Sequence, residues 1–342
     1  MTSGSPAGET VMTIGGPVPT ADLGITLMHE HLFINQMREQ RRAGLVNDLD
    51  MIVREVGRFA GAGGGTIVEL TVAELADGAA PDPAGSHNRE EAGTGCSYGS
   101  ARPLANVTAL AEVAARTGVR LVLGTGHYRD PYLDRDWFDR HCADSIADEL
   151  VRDIKEGIPG TGGVRAGIIG EIGADKWYLS AAEERSFRAA ARAHRRTGVP
   201  VTTHAARWPV GLVQLDLLCG EEGVPPERVI IGHVDTVKAP LEYALELAAR
   251  GAWVQFDNLR SRRPQDLDHL ASRVLGFARA GRLGRLLLSH DLCTTADWPD
   301  EGGVGLTHLL TTVRRHLVAA GLEEEEFDQL MIDNPRRALA GA

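Results

Sequence analysis

Histidine and carboxylate side chains recur in this sequence at the places where short apolar runs end. The set consists of His29, His31, Glu171, His204, His233 and Asp291. Imidazole and carboxylate groups together are ligands that suit Zn, Mn, Co or Fe. Residues two apart in a strand point the same way, so His29 and His31 can face one ion together. The residue types therefore predict a metal centre.

Each of these residues alone has an ordinary structural explanation. A single histidine at a strand end is more often a satisfied polar group than a ligand, and Glu171 alone could simply pair with an arginine. The joint pattern differs, because five of eight predicted strands end in a ligand-type residue. Six groups exceed what one ion needs, since a zinc site is usually four-coordinate. The pattern predicts two divalent ions that share a carboxylate, with zinc as the first candidate and Mn, Co or Fe as alternatives.

Eight β-like runs supply those strand ends, and each is followed by a helix-like stretch. The predicted strands are Ile25–His29, Thr66–Leu70, Arg120–Gly124, Gly167–Glu171, Val199–His204, Val229–His233, Trp253–Phe256 and Leu286–His290. Most are continuous apolar runs, which is typical of parallel strands buried on both faces. The clearest predicted helix, Ala181–Thr197, begins acidic, ends basic and stops at Gly198. Eightfold alternation indicates a barrel or a long doubly wound sheet.

The size and composition of the chain fit one globular domain over residues 1–342. The chain has 342 residues, 43% of them hydrophobic and 24% charged. A (β/α)8 barrel needs about 250 residues, so a second domain is not required. The net charge of -11 disfavours nucleic acid and anionic membranes as partners. A small-molecule substrate is the expected partner, and a homodimer stays open.

Features of secreted or membrane proteins are lacking in the sequence. The four cysteines are scattered, which argues against a disulfide framework. The first residues have no basic region followed by an apolar core, and no apolar run approaches the roughly 20 residues of a membrane span. We therefore expect a cytoplasmic protein.

Several segments together resemble the phosphotriesterase family of the amidohydrolase superfamily, over nearly the whole chain. They read GITLMHEHLF (24–33), GTIVELT (65–71), GTGHY (124–128), GIIGEIG (167–173), PVTTHA (200–205), VIIGHVD (229–235), LLLSHD (286–291) and IDNPRRAL (332–339). The resemblance implies an α/β fold of the (β/α)8 TIM barrel type. An HEH segment followed by the later GH-x-D and SHD segments is a specific combination.

The resemblance also implies a role for each candidate ligand. His29, His31 and Asp291 match the ligands of the more buried metal, and His204 and His233 match those of the more exposed one. A hydroxide would bridge the two ions, and Asp291 would hydrogen-bond that hydroxide and accept its proton.

Glu171 matches the residue that bridges the two metals. Well-known family members use a carbamylated lysine at this place, and none of Lys155, Lys176 and Lys238 stands there. A bridging glutamate also occurs in the phosphotriesterase-homology and phosphotriesterase-related branches, which the GEIG segment resembles. We therefore expect metal assembly without carbon dioxide.

Residues around the predicted centre are candidates for substrate contact. Tyr128 would donate a hydrogen bond to the developing oxyanion, or would serve as an aromatic wall. Asp235 would orient a ligand histidine. Arg260 and Arg262, with Arg263 beside them in DNLRSRRP, would bind a substrate carboxylate or phosphate, or would form a solvated face.

The predicted activity is hydrolysis of a carboxylic ester, a lactone or an N-acyl amide by the metal-bridging hydroxide. The alternatives are a phosphotriester or phosphoester hydrolase and a metal-binding homologue without turnover. Retention of Asp291 and the five other ligands favours the enzyme. A long loop at about 73–102 follows the second strand, where loops build the pocket, and we predict that it acts as a lid.

Overall fold

Eight parallel strands form one sheet in the computed structural model, which describes residues 9–81 and 102–340. Their order in the sheet is their order in the chain, and the sheet nearly closes into a barrel. The strands are β1 (Ile25–Glu30), β2 (Gly64–Glu69), β3 (Arg120–Thr125), β4 (Ile168–Gly173), β5 (Val201–His204), β6 (Val229–Gly232), β7 (Trp253–Phe256) and β8 (Leu286–Leu288). The predicted (β/α)8 barrel is confirmed.

A helix follows each strand and packs outside the sheet. These helices are α1 (Leu49–Gly61), α2 (Leu104–Thr117), α3 (Ala143–Lys155), α4 (Ala181–Thr197), α5 (Gly211–Leu215), α6 (Leu241–Ala249), α7 (Pro264–Arg279) and α8 (Arg314–Ala319). Helix α4 has the predicted bounds. It begins at a capping box made by Ser180 and Glu183, and it ends at Gly198, whose φ of 76° is the left-handed conformation that glycine adopts at little cost.

The seam between β8 and β1 closes the barrel through residues next to the predicted site. The backbone N–H of Asp291 donates to the carbonyl of His29 at 3.1 Å. The Ser289 hydroxyl lies 3.0 Å from the same carbonyl and accepts from the His29 N–H at 2.9 Å. The first and last strands thus meet where the predicted ligands lie.

Several shorter elements surround the barrel and were not predicted. An antiparallel hairpin of Thr10–Thr13 and Gly16–Pro19 lies at the N-terminal end of the strands, where Ile14 N–H donates to the carbonyl of Leu121 at 2.8 Å. A small ladder pairs Ile34–Asn35 with Leu45–Val46. The remaining short α-helices of the described residues are Met37–Gln40, Ala73–Ala76, Arg135–Arg140, Glu324–Asp328 and Asn334–Ala340.

The long loop after β2 falls largely on residues 82–101, outside the described residues. Its first part is the helical turn Ala73–Ala76. The lid therefore stays a prediction. Within residues 9–81 and 102–340, none of the helices combines the length and the apolar character that crossing a membrane requires.

Candidate metal centre

Glu171 occupies the middle of the cluster of predicted ligands, at the C-terminal end of the barrel. Its Oε1 lies 2.6 Å from Nδ1 of His204 and 2.7 Å from Nε2 of His233. Its Oε2 lies 3.6 Å from Nε2 of His29 and 3.7 Å from Nε2 of His31. Each carboxylate oxygen therefore faces a different pair of imidazoles.

Asp291 completes the set from the end of β8. Its Oδ1 lies 3.3 Å from Nε2 of His31 and 3.9 Å from Nε2 of His29. Asp291 has a φ of 58° and His233 a φ of 57°, a left-handed conformation that is uncommon for residues other than glycine. Such strain is often found at functional sites, where the surrounding structure holds it in place.

The residues present fit a divalent cation. Ligand atoms lie within 4.8 Å of one another in the group of His29, His31 and Glu171, and again in the group of Glu171, His204 and His233. His29 Nε2 is buried and has no hydrogen-bond partner within residues 9–81 and 102–340. Because a buried polar atom is costly without a partner, this nitrogen is well suited to coordinate an ion.

The electrostatics of the cluster also favour bound positive charge. Burial opposes ionisation of Glu171, but His29 and His204 hold its pKa well below the usual range. Burial opposes protonation of His29, yet Glu171 and Asp257 raise the pKa of that imidazole to about 10. Burial and the neighbouring His233 lower the pKa of His204 to about 4. Without a cation, the neighbouring carboxylates thus keep a proton on His29.

The carboxylate that contacts two of the candidate ligand histidines is Asp257, which directly follows β7. Its Oδ1 lies 2.8 Å from Nδ1 of His233, and its Oδ2 lies 3.1 Å from Nδ1 of His29. The predicted orienting residue, Asp235, instead accepts the backbone N–H groups of Asp257 at 3.1 Å and Asn258 at 3.0 Å. Asp235 therefore positions the backbone at Asp257 and does not itself orient a histidine. Sequence reasoning missed Asp257, although this residue also follows the end of a strand.

His31 is oriented by a buried chain of polar groups that the sequence analysis also missed. Its Nδ1 lies 3.0 Å from the Thr71 hydroxyl, which donates to Oε1 of Glu69 at 2.5 Å. Glu69 in turn forms an ion pair with Arg102, and both side chains are fully buried. The chain of contacts links a candidate metal ligand to the start of α2.

Glu30, the central residue of the HEH segment, binds both neighbours of Asp291. Its Oε1 accepts from the Ser289 hydroxyl at 2.8 Å, and from the backbone N–H of His290 at 2.9 Å. Its Oε2 accepts from the backbone N–H of Leu292 at 3.1 Å. These bonds cross the barrel seam, and they fix the backbone on either side of Asp291.

A cavity of about 180 Å³ opens onto the cluster, and Tyr128 and Arg260 line it. The Tyr128 hydroxyl lies 3.2 Å from Nδ1 of His204. Burial and the Glu171 charge raise the Tyr128 pKa well above its usual range, which keeps the phenol neutral. Arg260 lies 3.6 Å from Asp291 and 3.3 Å from Asp297.

The three arginines of the predicted cluster lie in different environments. Arg262 does not line the cavity, and its guanidinium donates to the carbonyls of Gly302 at 3.0 Å and Gly303 at 2.6 Å. Arg263 pairs with Asp266 at 2.7 Å. Of the three arginines, only Arg260 faces the centre, so the geometry does not support Arg262 as a substrate-binding residue.

A (β/α)8 barrel with imidazoles and carboxylates gathered at its strand ends defines the class of metal-dependent barrel hydrolases. Residues 9–80 and 100–339 match the model of the phosphotriesterase family, and the chain belongs to this family. It is therefore a metal-dependent hydrolase.

Known proteins similar to this chain agree with that assignment. A phosphotriesterase homology protein of Mycobacterium tuberculosis is 31% identical, over 95% of this chain and 96% of its own length. An N-acetyltaurine hydrolase of Danio rerio is 26% identical, over 91% of this chain and 80% of its own. A resiniferatoxin-binding protein of Rhodobacter sphaeroides superposes with a TM-score of 0.80 at 30% identity, over 97% and 95% of the two chains.

Proposed function

We propose that this protein hydrolyses a carboxylic ester, a lactone or an N-acyl amide with a hydroxide activated between two divalent ions. The observation that carries the proposal is the position of Glu171, whose two oxygens face two separate pairs of histidines. A carboxylate placed in this way belongs to both ligand groups. It suits a bridge between two ions better than a terminal ligand of one.

The ligands divide between two sites that share Glu171. His29 and His31, with Asp291 beside them, would hold one ion, and His204 and His233 would hold the other. Imidazole and carboxylate donors suit zinc first, with manganese, cobalt and iron as alternatives. When bound, two such ions lower the pKa of water and polarise the oxygen of the reacting bond.

Two side chains of the cavity move or hold protons in this proposal. The carboxylate of Asp291 accepts the proton of the attacking water. Its pKa lies below the usual range, because contacts with His31 and Arg260 outweigh the effect of burial. Tyr128 is a neutral phenol at the cavity wall, so its hydroxyl can donate a hydrogen bond to the substrate oxygen as negative charge develops there.

The proposed class of hydrolysed bond rests on similar proteins and on the size of the cavity. Similarity to an N-acetyltaurine hydrolase supports an amide substrate, and a cavity of about 180 Å³ suits a small molecule. The family name keeps a phosphotriester as the second candidate. Similarity to a resiniferatoxin-binding protein keeps a binding protein without turnover as the third.

Metal analysis and a substrate panel test the proposal together. The protein is purified without chelator, its metal content is measured, and the Zn- and Mn-loaded forms are assayed on lactones, aryl esters, N-acyl amino acids and a phosphotriester. We expect about two ions per chain, as in binuclear hydrolases, and turnover on one carboxylic class. A content near one with every ligand intact would refute the binuclear centre. Turnover confined to the phosphotriester would replace the proposed substrate class.

A further inference from the structure

Arg207 lies at the rim of the cavity, three residues after the ligand His204. It follows β5, and it lines the cavity together with Asp175 from the loop after β4. Its φ of 68° is a left-handed conformation that arginine rarely adopts. Its side chain is 66% exposed, which leaves the guanidinium open to the solvent of the cavity mouth.

The backbone of Arg207 is anchored although its side chain is not. Its N–H donates to the Thr236 hydroxyl at 3.3 Å, which ties the loop after β5 to the loop after β6. The next residue, Trp208, donates its N–H to the carbonyl of Ala206 at 2.8 Å. The ring of Trp208 packs on Trp177 with centroids 4.5 Å apart. The contacts of Arg207 with Thr236 and of Trp208 with Trp177 therefore hold the left-handed backbone conformation of Arg207.

The other two arginines of the cavity wall are more closely partnered. Arg129 is buried against Asp175 at 3.2 Å and forms a second ion pair with Glu39. Arg260 contacts Asp291 and Asp297. Arg207 lies 3.9 Å from the Asp175 oxygen that Arg129 already contacts more closely. Of these three guanidiniums, that of Arg207 is the one whose donors an incoming group can use.

The chemistry of a guanidinium determines what that group is. Its planar set of N–H donors matches the two oxygens of a carboxylate, or two oxygens of a sulfonate, and charge-assisted hydrogen bonds of this kind are strong. A neutral ester or amide would leave most of these donors to water. The side chain of Arg207 is 66% exposed whereas that of Glu171 is 1% exposed, so an anion bound by Arg207 would lie at the outer end of the cavity.

We propose that Arg207 binds a carboxylate or sulfonate at the end of the substrate remote from the scissile bond. The site would then select acyl compounds that carry a permanent negative charge. Arg207 is a specificity residue in this proposal, and the hydrolytic residues act without it. The inference rests on the proposed carboxylic hydrolase function.

Matched substrates and matched variants test this role. The substrates are an N-acetyl amino acid, its sulfonate analogue and its neutral carboxamide. The variants are Arg207→Gln, Arg207→Lys and, as a control, Arg250→Gln, whose exposed guanidinium pairs with Asp216 outside the cavity. We expect Arg207→Gln to lower kcat/KM about 10- to 100-fold for the anionic substrates and little for the carboxamide, as the loss of one charge-assisted hydrogen bond predicts. Arg207→Lys should recover part of the loss, and Arg250→Gln should resemble wild type.

Two outcomes decide against the inference, and neither is confused with failure of the proposed function. An unchanged ratio of anionic to neutral rates in Arg207→Gln would refute it, as would an equal loss in Arg250→Gln. If wild type hydrolyses none of the three compounds, calorimetric binding to the zinc-loaded protein decides. Binding of an anionic compound that weakens at least tenfold in Arg207→Gln supports the rim site, while equal affinity for both proteins overturns it. Comparison of carboxylate with sulfonate shows which of the two anions is preferred.

Discussion

The strand-end centre and the loop-borne rim of the same cavity are built in opposite ways. In the centre, each candidate ligand is buried and many of them have a further partner, such as Asp257 for His233 and Thr71 for His31. At the rim, the Arg207 side chain is exposed, and its ion-pair partner within residues 9–81 and 102–340 is Asp175 at 3.9 Å. We therefore expect catalysis to depend on groups that the barrel strands hold in place, and substrate selectivity to depend on groups that the loops carry. Substitutions in the two regions should have effects that differ in kind.

The largest effect is expected from Glu171→Gln at the middle of the centre. The amide removes the negative charge that both ligand groups share, so metal content should fall below that of wild type and turnover should nearly vanish on every substrate. Glu184→Gln on the surface of α4, where Glu184 pairs with Arg188, is the control. Wild-type metal content together with a wild-type rate in Glu171→Gln would contradict the bridging role.

The next effect is expected from Asp291→Asn. Asparagine keeps the shape and one oxygen but loses basicity, and removal of a general base commonly costs about 10²–10⁴-fold. We expect kcat to fall in this range for all substrates while the metal is retained. A smaller loss at saturating substrate would show that another group accepts the proton.

A smaller effect is expected from Asp257→Asn, with Asp235→Asn as its comparator. Carboxylates that orient metal-bound histidines commonly contribute about 10–100-fold to metal affinity or activity. Asp257 contacts two ligand imidazoles, whereas Asp235 contacts backbone N–H groups. Titration of the metal-free proteins with zinc should therefore show a larger loss for Asp257→Asn. The reverse order would restore Asp235 to the orienting role.

The smallest effect is expected from Arg262→Gln, compared with Arg260→Gln. Arg262 donates to two loop carbonyls outside the cavity, so its replacement should change stability by no more than about 0.5 kcal/mol and leave relative rates unchanged. Arg260 lies beside Asp291, so its replacement should alter kcat/KM. Thermal unfolding measures the stability of both variants, and the substrate panel measures their kcat/KM. If Arg262→Gln alone changed the relative rates on the substrate panel, Arg262 would again be a candidate for substrate binding.

Sequence reasoning succeeded where the signal was local. Continuous apolar runs mark buried parallel strands, and the geometry of a barrel brings their ends together. The eight strands and the convergence of His29, Glu171 and Asp291 followed from these two facts. Helix α4 was predicted to the residue because its acidic start, basic end and terminal glycine are local signals too.

Sequence reasoning failed where the partners are distant or the backbone is irregular. Glu30 forms hydrogen bonds with residues some 260 positions away, and no pattern in the neighbouring sequence predicts that contact. Neighbouring arginines in a loop lack the periodicity of a helix or strand. Nothing in DNLRSRRP therefore distinguished Arg260, which faces the cavity, from Arg262, which does not. Arg207 was missed because its left-handed conformation is set by contacts with Thr236 and the paired tryptophans.

The seam between the first and last strands has a consequence for biosynthesis. His29 is made early, Asp291 comes 262 residues later, and the bond from Asp291 N–H to the His29 carbonyl joins them. During translation, the nascent chain carries His29 and His31 long before the other four candidate ligands exist. Contacts of such high sequence separation form slowly, because the entropy of closing a long loop must be met first. A centre that uses all six candidate ligands is therefore complete only after nearly the entire chain has been synthesised.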